Sequence, residues 1–291
     1  MLFKIRHVCY YLSMVIIYAL MSAFAFGTAD FLGGFSSRKN STTSTVAWSQ
    51  GAGLITVLIA APLTGFESVA ASDIIWGMAA GISGALGVMF LFRGLSTGIA
   101  SIISPLAALS GAALPVLFGF LVGERPPLLT WTGVALSLPA ILLLSWEKGE
   151  KNDHVLRSVR QGLISGAFFG GFFILISRTS ESSGIWPLAA ARLATVPLFI
   201  LLTIFRKSKI CLERGTRRLT LLSGFLDMAA NVFYLLAACT GYLIIAVVLS
   251  ALYPAPTVLL QKVVLHEKLT SLRISGLVLS IAGAVLIGVG R

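Results

Sequence analysis

A chain of 291 residues that is 57% hydrophobic and only 11% charged, with a mean hydropathy of +0.93, falls outside the soluble globular class, where about 25% charge keeps a surface hydrated. The net charge of +11 does not make it a nucleic-acid binder, because the basic residues sit in short connections between apolar runs and form no stripe interleaved with aromatics. Three cysteines (Cys9, Cys211 and Cys239) with no CxxC spacing exclude a disulfide framework and offer no metal site.

The apolar runs are continuous instead of alternating with period two, and many reach the roughly 18–20 residues needed to cross a hydrocarbon core of about 30 Å. Peptide groups in lipid must be paired within the segment, so these runs are helices. The pattern predicts an all-α polytopic protein with ten spans, near 14–35, 44–65, 72–92, 97–121, 129–146, 161–177, 185–205, 219–239, 241–261 and 274–290. Such a chain belongs in a cell membrane, the inner one if the source is bacterial, with the lipid bilayer as its first partner.

Span one follows "KIRH" and contains "AFA" at 23–25, as a cleavable leader would, but its apolar run continues to Phe35 and is read as a retained span. It carries Asp30 within "GTADFLGG" (27–34), and span two carries Gln50. Arg93 follows span three at the interface. Span four holds Pro105 and Pro115 and ends at Glu124. The polar stretch 147–160 reads as a linker between a first unit (1–146) and a second (161–291). In span six, Gly162, Gly166 and Gly170 have the GxxxG spacing of close helix packing. Span seven contains Arg192, and span eight contains Asp227, Asn231 one turn later and Tyr234 three residues on. Span nine carries Tyr253, Pro254 and Pro256, and Glu267 follows it.

A charge at mid-membrane costs roughly 2.5–3.5 kcal/mol on insertion scales, so intramembrane polar groups need a reason. Asp227 and Asn231 on one face suit an amine-bearing substrate or a proton site; a buried Asp paired with another helix is the alternative. Asp30 is a second such group, or a carboxylate reaching water near the span end. Arg192 is a counter-ion for either Asp, a carboxylate ligand through its bidentate fork, or a structural ion pair. Gln50 stands almost opposite it in the first unit. Pro254 and Pro256 predict a kink in span nine that opens carbonyls to a cavity, forms a pivot or only shapes packing. Glu124 and Glu267 read as interfacial anchors or helix-end partners of Arg125 and Lys268. Trp48, Trp76, Trp131 and Trp186 near span ends suit an aromatic belt.

A shift of 143 residues superposes the two units without a gap over 97–143, matching Thr97 with Thr240, Gly98 with Gly241, Leu109 with Leu252, Glu124 with Glu267, Gly133 with Gly276 and Ser137 with Ser280. Five spans begin and end on opposite sides, so a duplicated five-span unit is inserted inverted, as in many secondary transporters. The loop between spans two and three has no Lys or Arg, whereas its counterpart between spans seven and eight has six. Loops after odd-numbered spans hold 16 basic residues against 5 on the other side, which places both termini outside the cytoplasm.

The pattern of Leu249, Leu252, Tyr253, Pro254, Leu259, Leu260, Leu265 and Glu267–Thr270 with Gly276, together with "GTADFLGG", resembles the EamA-type branch of the drug/metabolite transporter superfamily. The resemblance spans the whole chain, with one departure: Gly111 stands where the second unit has Pro254. It implies ten helices as two inverted five-helix repeats, alternating access around a central cavity lined by helices one, three, four, six, eight and nine, and transport of small metabolites, amino acids or drugs. It also implies cytoplasmic termini, against the charge count.

A secondary transporter acting as an exporter of small metabolites, amino acids or drugs is therefore the leading expectation. The coupling ion would be a proton carried by Asp227 or Asp30. No GxxxxGK[ST] is present, and neither cofactor nor metal is expected. A passive channel or a membrane sensor is the first alternative. An intramembrane enzyme is the second, but His7, His154 and His266 lie outside the expected spans and no GxSxG occurs. A homodimer is compatible with the sequence.

Overall fold

The computed structural model describes residues 2–37, 39–64, 66–97, 100–145, 155–207, 209–264 and 270–289, and these form helices and turns with no strand among them. In chain order the helices are α1 (Leu2–Ser37), α2 (Thr42–Ala60), α3 (Ala71–Thr97), α4 (Ala100–Leu121), α5 (Leu128–Ser145), α6 (Val155–Ile176), α7 (Trp186–Phe205), α8 (Arg217–Thr240), α9 (Leu243–Ser250), α10 (Pro254–Val264) and α11 (Ser271–Val289). Among the described residues seven stretches are long and apolar enough to cross a membrane, and Leu106–Leu121, Leu128–Leu143 and Ser271–Ile287 are shorter apolar helices. Large apolar side chains such as Ile17, Phe24, Ile55, Ile59, Leu193 and Ile281 point outward, which a lipid environment accommodates and water does not.

Three boundaries differ from expectation. α1 begins at Leu2 instead of near 14. α6 begins at Val155, inside the stretch expected as linker, because Ser158, Gln161 and Gly162 recur at helical spacing and are buried. The rest of that linker, 147–154, and Glu267 lie outside the described residues.

The third difference lies in span nine, where a turn separates two helices at the prolines. Pro254 has no N–H for the Ser250 carbonyl, which instead accepts from the Tyr253 N–H at 3.2 Å, and the Ala255 N–H reaches Leu252 at 2.9 Å. The chain turns through Ala251–Tyr253, and Pro254 becomes the first residue of α10, where its missing donor costs nothing. In the first unit Gly111 occupies that place, and α4 runs unbroken through Pro105 and Pro115.

Helix packing repeats under exchange of the two units. α1 lies against α8 as α3 lies against α6, α2 meets α8 as α3 meets α7, and α1 meets α9 and α10 as α6 meets α4. The correspondence reaches single bonds: Ser22 Oγ donates to the Ala230 carbonyl at 2.9 Å, and 143 residues away Ser165 Oγ donates to the Gly87 carbonyl at 2.8 Å. The two self-paired contacts are antiparallel. Gln50 meets Arg192 while Val46 and Ala47 cluster with Phe199, and Gly133 abuts Ile287 while Ser137 meets Gly283. The core runs through α9, where Ile244 to Leu249 have no exposed surface.

Candidate functional site

Close backbone approach sets the site. Gly81 on α3 abuts the Ala191 carbonyl of α7, and Gly224 on α8 abuts the Ser49 carbonyl of α2. These glycines are related by the same 143-residue shift. A Cβ at either would overlap backbone, so both helix pairs close to a distance only Gly permits.

That closeness brings Arg192 between α2 and α8. Its Nη1 donates to Gln50 Oε1, and its Nη2 forms an ion pair with Asp227 Oδ2. Thr195 Oγ1 also donates to Gln50 Oε1, at 3.1 Å, which fixes the amide in place as an acceptor. Asn231, one turn beyond Asp227, donates from Nδ2 to the Asp227 carbonyl at 2.7 Å. Asp227 lies ten residues into α8, about 15 Å along a helix at 1.5 Å per residue and hence near the middle of the span. Arg192 is 8% exposed, and its pairing offsets the cost of burying a guanidinium at that depth. The Asp227 side chain keeps 28% of its surface, so the pair is open on one side.

Asp30 lies on α1, which packs along α8. On α1 the outward stripe is Ile17, Leu20, Met21 and Phe24, whereas Ser22, Phe26, Ala29 and Gly33 face the other helices. Asp30 is one turn beyond Phe26 and one turn before Gly33, on the inward side, yet it is exposed. Exposure on an inward face means that solvent reaches Asp30 between the helices. α1 packs along α8 here, where Ser223 Oγ donates to the Ala29 carbonyl at 2.8 Å, and Gly27 lies against the Tyr253 carbonyl at the α9–α10 break. Among the described residues no donor reaches its carboxylate.

Tyr253 also packs its ring edge-on against Phe26 at 6.4 Å. Tyr234 is different: it is 1% exposed and donates to the Phe173 carbonyl of α6 at 3.1 Å, so its hydroxyl is used in packing. Pro105 and Pro115 lie within α4, and Pro254 and Pro256 frame the break beside Gly27 of α1. Gly166 and Gly170 meet Ala107, Ser110, Gly111 and Leu114 of α4, which is packing. Glu124 is a helix-end partner, though not of Arg125. Its Oε1 and Oε2 accept from the Leu243 and Ile244 N–H groups at 2.8 and 3.0 Å, capping α9, while Arg125 donates to the Phe120 and Glu124 carbonyls.

The two units share a fold but not a chemistry. At a shift of 143, Asp30 corresponds to Phe173, Arg192 to Ser49, Asp227 to Gly84 and Tyr253 to Ser110. The charged positions of the site are therefore uncharged at their repeat-related places. Phe90 stacks on Phe168 at 5.6 Å, and Phe173 meets Phe172 at 5.5 Å and Phe26 at 6.5 Å. Sequence reading missed the Gly81/Gly224 pair, which the repeat shift would have revealed, and Phe26, Phe173 and Thr195, for which a single apolar chain carries no signal.

Comparison with known proteins agrees with this architecture. The EamA-like transporter family profile matches twice, over residues 13–146 and 158–289. Among solved structures, a crystal structure of a protein 18% identical superposes with a TM-score of 0.75, covering 94% of this chain and 96% of the other, which establishes the common fold. No curated protein sequence matches the chain. Two family matches that together cover nearly its whole length, on a bundle of apolar helices built twice from one plan, mean that this chain belongs to the EamA-like transporter family and is a multi-pass membrane protein.

Proposed function

We propose that the protein is a secondary transporter of ten membrane-crossing helices in two inverted five-helix repeats, exporting small metabolites, amino acids or drugs by alternating access. The observation that carries this reading is the Gln50–Arg192–Asp227 cluster with Asp30. It is a solvent-reached charged group near mid-span, built by α1 and α2 of one repeat and α7 and α8 of the other. A site shared between repeats changes its accessible side when the repeats rock against each other. The antiparallel α2–α7 and α5–α11 contacts and the opposite charge bias of equivalent loops support the inversion.

The two ends of the vestibule differ. At the α9 end, buried Leu243–Leu252 and the Glu124 cap form a plug. Toward the other end Asp30 is exposed, and Gly34 and Gly51 have open space where a Cβ would sit. The break at Ala251–Tyr253 is the hinge that lets the plug move, since one half-helix can rotate there without tearing a hydrogen-bond ladder. For proton coupling, Asp30 is better placed than Asp227, whose charge Arg192 already balances.

Proteoliposomes preloaded with unlabelled leucine, uridine or phenethylamine should draw the matching labelled compound in above its outside concentration for at least one of the three. The transported compound should also respond to an imposed pH gradient, and Asp30→Asn should lose that response. Flux that is linear in concentration and shows no counterflow would make the protein a channel.

A further inference from the structure

We propose that the face formed by the α7–α8 connection and the α1–α2 turn is a binding site for the head group of an anionic phospholipid. Such binding goes beyond the transporter reading and needs neither a particular cargo nor transport.

Residues 206–218 carry six exposed cations, Arg206, Lys207, Lys209, Arg214, Arg217 and Arg218, against one acid, Glu213. Lys39 in the α1–α2 turn is exposed beside them. Among the described residues the one salt bridge is Arg192–Asp227, so none of these seven cations has a carboxylate partner there. The opposite face is different. Its connections 61–70 and 177–185, joined by the Glu67 N–H donating to the Ser182 carbonyl at 2.9 Å, hold one cation, Arg178, against Glu67 and Glu181. A run of like charges normally repels itself into disorder, yet this connection is folded. Asn40 Oδ1 accepts from the Glu213 N–H at 2.9 Å, and Asn40 Nδ2 donates to Thr216 Oγ1 at 2.7 Å. The Lys209 carbonyl accepts from Ser44 Oγ, the Ile210 carbonyl accepts from Trp48 Nε1 at 2.8 Å, and Leu212 is buried beneath. Lys207 turns the chain out of α7 with a left-handed φ of 50°. The cations therefore stand on a preformed surface, and an anion that binds there need not order the loop.

The residues that flank the loop select a lipid over other anions. Ile204 and Phe205 end α7, Leu221 and Leu222 lie in the second turn of α8, and Trp48 stands on α2; all five are exposed. An exposed apolar rim with an indole whose N–H is bonded, directly under a cationic loop, marks the boundary between hydrocarbon and head groups. A soluble acidic protein or free phosphate would answer the charge and leave the rim uncovered. A phospholipid answers both: its phosphate oxygens accept from Arg and Lys, and its acyl chains cover Phe205, Leu221 and Leu222. A zwitterionic head group carries its own ammonium beside the phosphate, so the match is to a lipid with net negative charge.

Binding is read by the thermal shift of purified protein in detergent, titrated with phosphatidylglycerol, phosphatidylcholine or inorganic phosphate. Phosphatidylglycerol should raise Tm saturably, and phosphatidylcholine and inorganic phosphate should have no effect at the same concentration. Salt at about 1 M, where charges are screened within about 3 Å, should remove most of the rise. Each cation at the head-group level contributes roughly fivefold in affinity, so Lys39→Gln/Arg214→Gln/Arg218→Gln should weaken phosphatidylglycerol binding by at least about tenfold. The charge-retaining Lys39→Arg/Arg214→Lys/Arg218→Lys, and Arg178→Gln on the opposite face, should bind as the parent does. Hydrogen–deuterium exchange on the unmodified protein locates the site: phosphatidylglycerol should slow exchange over 206–218 and leave 177–185 unchanged. Absence of a phosphatidylglycerol shift, an equal shift with phosphatidylcholine or inorganic phosphate, unchanged affinity in the glutamine variant, or protection confined to other segments would overturn the proposal.

Discussion

Replacing Arg192 by Met tests whether the charged cluster is held together as a pair. The substitution keeps an unbranched side chain of similar reach but removes both donors, stranding Asp227 Oδ2 and leaving Gln50 Oε1 with Thr195 alone. Breaking a buried pair from one side costs about 3–5 kcal/mol. Asp227 retains 28% of its side-chain surface, so solvent softens the penalty, and about 2–3 kcal/mol is the reasoned loss. In a chain of this size about 2 °C accompanies each kcal/mol, giving a fall in Tm of roughly 4–6 °C. Adding Asp227→Asn to Arg192→Met removes the stranded charge and should recover at least half of that loss. The assay is thermal unfolding of the four members of the cycle in one detergent at neutral pH. Strict additivity, or an Arg192→Met protein as stable as its parent, would show that Arg192 and Asp227 are not energetically coupled.

Two further outcomes follow from packing and capping. Gly81→Ala and Gly224→Ala should each lower stability by about 1–3 kcal/mol through overlap with the Ala191 and Ser49 carbonyls, whereas Gly51→Ala, with nothing within 4 Å of its Cβ, should be neutral or slightly stabilising; thermal unfolding separates them. Glu124→Gln keeps one acceptor but loses the charge at the α9 N-terminus, so it should cost about 1–2 kcal/mol and speed amide exchange at Leu243 and Ile244, measured by hydrogen–deuterium exchange.

The helices were legible because lipid leaves a peptide little choice: an apolar run of sufficient length must pair its backbone internally. Boundaries were less legible. The start of α6 was hidden inside a charged stretch, since Arg157 and Arg160 lie on the outer side of the same turns whose Ser158 and Gln161 are buried. The break at Pro254 was visible as a disruption, but not its size, because a kink and a break differ only in where the Ser250 and Ala251 carbonyls find partners. Glu124 showed as a repeated acid before an apolar run; that it caps a helix of the other repeat depends on a contact 119 residues away.

Asp30, Gln50, Arg192 and Asp227 were conspicuous in the sequence for one physical reason: each is too costly in hydrocarbon to be there without a partner or water. Sequence alone thus determined the membrane class, the duplicated plan and the short roster of polar groups. Only the tertiary structure decided which of them meet, that Arg192 belongs to Asp227 and Gln50, that Asp30 is left open, and that Tyr234 serves packing. Composition and period record what each residue costs in lipid, whereas pairing depends on the interhelical approach that Gly81 and Gly224 allow between segments distant in the chain.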